Sequence, residues 1–258
     1  VGGWEIMPAW LEQLKPDGRL LLPLSLNGPQ FSIAFDREDG GLVSRSVIAC
    51  SFMVLRGEHA GPDEVIPLNE ERTIHLGYTA DPERPNLVDA GMVQGWMAGP
   101  SADSAVGLAV TPEEIWRGLL MWMALKEPRV VSLGAHAEAT ETFPLLIGKA
   151  GPNGWGMTVG IVGDQGMAFF VRPFIEPTEE GSSEEPEPFD LYIRGYGTAD
   201  LPVDRLKRQA LNWDENGRPG TDGMRVRVFP VGGRRAEGIV LTQRWNHFVV
   251  DWPQKNLP

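Results

Sequence analysis

Few side chains in this sequence stand at spacings that do chemistry. Four histidines, His59, His75, His136 and His247, are scattered without the close spacing of a ligand set, so no metal site is expected. Neither H-E-x-x-H nor G-x-S-x-G occurs, and no G-x-x-x-x-G-K is present to cradle a phosphate. The one cysteine, Cys50, lies in the apolar run Val47–Met53 and reads as a small core residue rather than a nucleophile. Gly154-Trp155-Gly156, with Gly160 further on, offers the glycines of a dinucleotide loop. The residues that follow, Met157–Val162, read as a strand, whereas phosphate binding needs a helix N-terminus at that point. The catalytic residues therefore stay unassigned.

The indoles are more informative. Trp116, Trp122 and Trp213 fall on helical apolar stripes, and Trp245 and Trp252 flank strand-like runs, so all five read as core or rim. Trp4 differs, because it sits beside Gly2-Gly3 ahead of the first helix, in a loop where an indole can wall a site. Arg218-Pro219-Gly220 reads as a turn.

Composition narrows the class. The net charge of −12 over 258 residues argues against a nucleic acid or an anionic membrane surface as partner. No apolar stretch approaches the roughly 20 residues that span a bilayer, and no signal peptide is visible. A lone cysteine excludes an intramolecular disulfide and suits a reducing cytoplasm. A cytoplasmic chain is expected.

The elements that must position these residues begin at once. Ala9–Lys15 reads as a short helix with Trp10, Leu11 and Leu14 on one side, ended by Pro16-Asp17-Gly18. Arg19–Leu24 is apolar without alternation, which suits a strand covered on both faces of a parallel sheet. Gln30–Asp36 alternates as a strand, turns at Glu38-Asp39-Gly40-Gly41 and returns through Leu42–Leu55. Residues 58–67 are rich in Gly, Pro, Asp and Glu and read as a linker. After it, Arg72–Thr79, Gly91–Ala98, Val130–Leu133, Gly156–Val162 and Met167–Phe174 read as strands, the last two flanking a Gly163–Gly166 hairpin. Thr111-Pro112-Glu113-Glu114 is a helix start, with Ile115, Leu119, Trp122 and Met123 on its buried face. Glu176–Glu187 is a solvated acidic stretch. Phe189–Tyr196 is a strand, Asp200 caps a helix carrying Val203, Leu206, Ala210 and Trp213, and Met224–Phe229, Gly238–Thr242 and His247–Trp252 are strands.

The opening has a further property. Leu11, Gln13, Leu14, Lys15, Pro16, Gly18, Arg19, Leu20 and Pro23, together with the hairpin from Gln30 to Gly57, resemble the carboxyl-terminal part of protein-L-isoaspartate O-methyltransferases. The resemblance covers residues 1–57. It implies a class I methyltransferase using S-adenosylmethionine, whose glycine-rich loop, acidic ribose contact and Ser/Thr substrate loop would all precede Val1. Gly2 and Gly3 would then lie at the cofactor, and Trp4, where the family more often has a small residue, would wall the substrate pocket. Methylation of a carboxylate needs alignment and exclusion of water more than a base, because the nucleophile is already an anion.

The fold expected is α/β plus α+β. Residues 1–57 form the back half of a Rossmann-like sheet, 58–67 a linker, and 68–258 a mostly antiparallel α+β accessory domain. The resemblance implies a peptide or protein substrate, and a chain inactive alone, completed by a missing N-terminal half or by a second copy. The alternative is a stand-alone peptide-binding or assembly module without catalytic activity. An enzyme of another class working from the second domain has the least support.

Overall fold

A computed structural model describes residues 1–38, 40–80, 88–136, 139, 145–149, 154–172, 187–233 and 237–253. The helices in chain order are α1 (Pro8–Gln13), α2 (Ala90–Met97), α3 (Pro112–Glu114), α4 (Leu120–Lys126) and α5 (Asp200–Glu215). A 3-10 turn lies at Gly57–His59, and a π turn at Ile115–Leu119 joins α3 to α4. The strands are β1 (Arg19–Ser25), β2 (Gln30–Glu38), β3 (Gly41–Cys50), β4 (Asp63–Pro67), β5 (Ile74–Thr79), β6 (Ser101–Val110), β7 (Val130–His136) and β8 (Ile147–Lys149). They continue with β9 (Trp155–Val162), β10 (Gly166–Val171), β11 (Phe189–Gly197), β12 (Arg225–Pro230), β13 (Ile239–Thr242) and β14 (Asn246–Asp251). Two compact units result: residues 1–62, 124–126 and 219–258 form the first, residues 63–123 and 127–218 the second.

The first unit holds a six-stranded sheet in the order β1-β2-β3-β12-β14-β13, with every pairing antiparallel. Phe31, Ile33 and Phe35 of β2 are buried, as the alternation predicts. Glu38 pairs with Gly41 across the expected hairpin, with Gly40 at φ 78°, where a side chain would be strained.

Two expectations for this unit are corrected. The run Arg19–Leu24 is not a parallel strand covered on both faces. It is an edge strand antiparallel to β2, with Leu21 63% exposed. The cause is a short return: Leu26 N–H donates to Pro29 O, and Asn27 and Gly28 take φ of 58° and 112°. A connection this short can only make an antiparallel neighbour. The carboxyl-terminal strands also do not belong with residues 68–218. β12 pairs with β3 through Arg227↔Val43 and Val228↔Leu42, so the chain returns to complete the first sheet. Gly41 permits that approach, since a Cβ there would stand 2.3 Å from Val228 O.

The second unit is an eight-stranded antiparallel sheet in the order β4-β5-β7-β9-β10-β11-β6, with β8 attached to β9. On one face, α5 and the helical run from α3 to α4 bury Ile115, Leu119, Trp122, Met123, Leu206, Ala210 and Trp213 against Val159, Ile161, Phe170, Leu191 and Ile193. On the other, Val93 of α2 packs with Leu76, Leu133, Phe169 and Tyr196. This is the mostly antiparallel α+β body expected there, bounded differently.

Local differences have local causes. Residues expected as the strand Gly91–Ala98 form α2, capped by Asp89, whose carboxylate accepts from Met92 N at 2.8 Å. Ala199, not Asp200, is the N-cap of α5, and Asp200 adds its charge to the first turn. β6 gave no sequence signal. Thr111 and Glu114 do form the reciprocal capping box. Gly163 N–H donates to Gly166 O at 2.8 Å in the β9–β10 hairpin. Of the acidic stretch Glu176–Glu187, all but the last residue lie outside the described residues.

Candidate functional site

The residues singled out at the start of the chain lie together in the first unit. Gly2 and Gly3 form a two-residue parallel stub held from both sides. Gly2 N–H donates to Met53 O at 2.8 Å and Gly2 O accepts from Leu55 N at 3.0 Å. Gly3 N–H donates to Pro23 O at 2.9 Å and Gly3 O accepts from Ser25 N at 2.7 Å. The stub, α1 and β1 therefore make a strand–helix–strand unit, in which Gly3 pairs in parallel with Leu24. This parallel contact is confined to two residues, and β1 pairs antiparallel with β2 along its whole length. All four backbone polar groups of Gly2 and Gly3 are engaged, so neither glycine has an N–H to offer a ligand.

The chain leaves the stub through Trp4 and Glu5 before α1. The Trp4 ring packs on Gly61, where a Cβ would stand 2.9 Å from Trp4 Cγ. Glu5 is 3% exposed, an unusual position for a carboxyl. Burial pushes its pKa up, partly offset by the charges of Arg244 and His59. Glu5 Oε2 and Trp4 Nε1 are both buried without a hydrogen-bond partner among the described residues. The next residue is pinned, since Ile6 N–H donates to the buried Asn246 Oδ1 at 2.8 Å. Asn246 also lines a cleft of about 540 Å3 whose walls include Leu11, Arg37, Gly41 and Phe229.

This arrangement joins two glycines, an indole, a buried acid, and a cation and a histidine that act on that acid. A buried carboxyl with a free oxygen can hold a hydroxyl or amine of a ligand, and a free indole N–H can hold an acceptor. Sequence reasoning singled out Gly2, Gly3 and Trp4 and missed Glu5. The missed signal was an acid between two apolar residues, Trp4 and Ile6, in a segment leading into a helix.

The remaining candidates are dispersed. Cys50 ends β3, half-buried, and burial pushes its thiol pKa up, which disfavours the thiolate a nucleophile needs. Gly154-Trp155-Gly156 leads directly into β9, so no helix N-terminus follows. Arg218, at φ 53°, is taken up by Glu114 and Asp214 at 2.8 and 2.7 Å. Among the described residues, no group of three or more His, Cys, Asp and Glu side chains could hold a metal ion. Among them also, no helix is long and apolar enough to cross a membrane.

No family model matches this chain, and no curated protein matches it. Among solved structures it is similar to one titled protein-L-isoaspartate O-methyltransferase, at 14% identity and a TM-score of 0.27. The match covers 96% of this chain and 51% of that one, so this chain spans about half that protein's length. The likeness is too weak to assign a fold or a function.

Proposed function

We propose that the chain is part of an S-adenosylmethionine-dependent O-methyltransferase acting on a peptide or protein carboxylate. Gly2 and Gly3 would lie on its cofactor side, and Trp4 and Glu5 would line the substrate side. The observation that carries this reading is the strand–helix–strand unit at residues 2–25, whose connection is the Leu11–Pro23 motif. The motif that carries the resemblance falls on the connection of this unit, which supports the reading. The second unit, with its broad antiparallel sheet, would take part in selecting the peptide.

S-adenosylmethionine fits these residues only in part. Gly2 and Gly3 can give its edge a floor but no hydrogen bond, because their backbone groups are consumed. Among the described residues, no glycine-rich turn opens a helix to receive its polar groups. No step of methyl transfer is therefore placed on these side chains.

That shortfall favours a second reading, a peptide-binding module in which Trp4 and Glu5 hold a ligand without transferring anything to it. One pair of measurements separates the two. The chain is incubated with isotopically methyl-labelled S-adenosylmethionine and an isoaspartyl peptide library, and binding of the same peptides is followed by calorimetry. Label transfer that Trp4→Ala reduces supports the methyltransferase reading. Peptide binding weakened by Trp4→Ala without label transfer supports the module. Neither transfer nor binding overturns both.

A further inference from the structure

From the second unit alone, and independently of the function proposed above, we infer that His75 and His136 form a two-histidine site for a divalent first-row transition ion. His75 lies on β5 and His136 ends β7. β5 and β7 pair antiparallel with His75 directly opposite Gly134, so His136, two residues further along β7, projects from the same face. The imidazole centroids are 4.9 Å apart, with the planes inclined by 35°. Gly134 between them has no side chain to part the rings, and a Cβ placed on it would touch His75 Cδ2 at 4.0 Å.

The separation falls within the range that a shared ion allows. Two imidazoles bound through nitrogen at about 2.0–2.1 Å, at angles between square and tetrahedral, place their centroids about 4.5–5.2 Å apart. Either ring nitrogen can be presented by a flip about the Cβ–Cγ bond. Neither imidazole has a hydrogen bond or ion pair among the described residues. His136 is exposed and His75 half-buried, so an ion can approach from solvent.

The donor set decides the class of ion. Neutral imidazole suits copper, zinc and nickel and discriminates against magnesium and calcium, which require oxygen ligands. No third His, Cys, Asp or Glu joins the pair among the described residues, so the remaining coordination positions stay open to water or an exchangeable ligand. The histidines lack ligand spacing along the chain because the pairing of two strands, not a helix or a turn, brings them together.

The test titrates the full chain with Cu2+ alone in a non-coordinating buffer at pH 7.5, followed by electron paramagnetic resonance. One ion per chain with nitrogen hyperfine structure is expected. His136→Ala, at an exposed position, and His75→Gln, which keeps a polar side chain of similar reach, should each weaken binding by about 100-fold, since one imidazole alone is a poor ligand set. The double variant His59→Ala/His247→Ala should bind as the parent does. Trp155 lies directly opposite His136 across β7 and β9 and is 42% exposed, so bound Cu2+ should quench its emission, and Trp155→Phe should lose that quench while keeping affinity. Binding of one Cu2+ that survives both His136→Ala and His75→Gln overturns the site, as does the absence of any saturable binding.

Discussion

Asp103 on β6 stands directly opposite Arg194 on β11, and its two carboxylate oxygens accept from Arg194 Nε and Nη2 at 2.7 and 2.8 Å. This two-pronged pair lies on an outer strand of which few side chains are buried, Val106 and Val110 among them. Its sequence, SADSAVGLAV, is poor in strand-forming residues, and most of its side chains are exposed. The pair adds to the burial of Val106 and Val110 in fixing the register of this outer strand.

The same pair makes a pH prediction. The hydrogen bonds from Arg194 hold the Asp103 carboxyl below its ordinary value of 3.8, against the opposing effect of burial. A carboxyl with a lowered pKa in the fold contributes stability that is complete above the ordinary value and is lost as pH falls through the lowered one. Asp103→Asn should therefore cost about 1 kcal/mol at pH 7, since both partners are partly exposed. The gap from the parent should close as the pH is taken from 5 towards 2. Urea melts at several pH values measure it, and a gap independent of pH would remove the ion pair as its cause.

Thr111→Ala should destabilise the second unit by about 1 kcal/mol, the usual loss for a threonine N-cap. Thr111 Oγ1 accepts from Glu114 N–H at 3.2 Å, and Thr111 N–H donates in return to Glu114 Oε2 at 2.8 Å. Glu114 is also paired with Arg218 at 2.8 Å, so Thr111→Ala and Arg218→Met should not be additive. A double-mutant cycle by chemical denaturation reads the coupling, and strict additivity would mean that the cap and the ion pair act independently.

Gly41→Ala tests whether the carboxyl-terminal strands complete the first sheet. A Cβ at this position would lie 2.3 Å from Val228 O and 3.0 Å from the Phe229 ring, so β3 and β12 would have to part. The expected loss is about 2–3 kcal/mol, the range for an overpacked contact. If residues 219–258 packed elsewhere, the substitution would fall in an open hairpin and cost almost nothing. Thermal melts with amide exchange of residues 225–229 decide between these outcomes.

What was legible in the sequence was local. The Thr111 box, the α5 stripe of Leu206, Ala210 and Trp213, and the hairpins at Gly40 and Gly163 each depend on residues within a turn or two of one another. What was not legible depends on partners far along the chain. Apolar content alone could not show that Arg19–Leu24 pairs antiparallel with β2 along its length and meets a parallel neighbour only at Gly3. Glycines at positions 91 and 95 hid a helix whose stability comes from the Asp89 cap and the burial of Val93. β6 is a strand because β11 offers it a ladder and Arg194 a charge. At the candidate site, Gly2, Gly3 and Trp4 stood out by type and order. The burial of Glu5 left only a weak local signal, because Asn246, which holds Ile6, and Arg244, whose charge acts on Glu5, come from the other end of the chain.

Glu5 supplies the last prediction, and its sign is opposite to that of Asp103. Burial raises its pKa above the ordinary 4.5, with Arg244 and His59 only partly compensating. The folded state then binds a proton that the unfolded state releases, so stability falls as pH rises from the ordinary value through the raised one and stays lower above it. Glu5→Gln keeps the shape and removes the ionisation. The variant should match the parent near pH 4 and exceed it at pH 8, where the carboxylate of the parent pays a desolvation cost that the neutral amide does not. If Glu5 holds a cationic or hydroxyl group of the peptide, Glu5→Gln should also weaken peptide binding while raising stability. A residue kept for structure alone would not divide its effects in that way. Denaturation at the two pH values and peptide calorimetry on the same variant make the comparison, and a variant less stable at pH 8 with peptide affinity unchanged would assign Glu5 to packing.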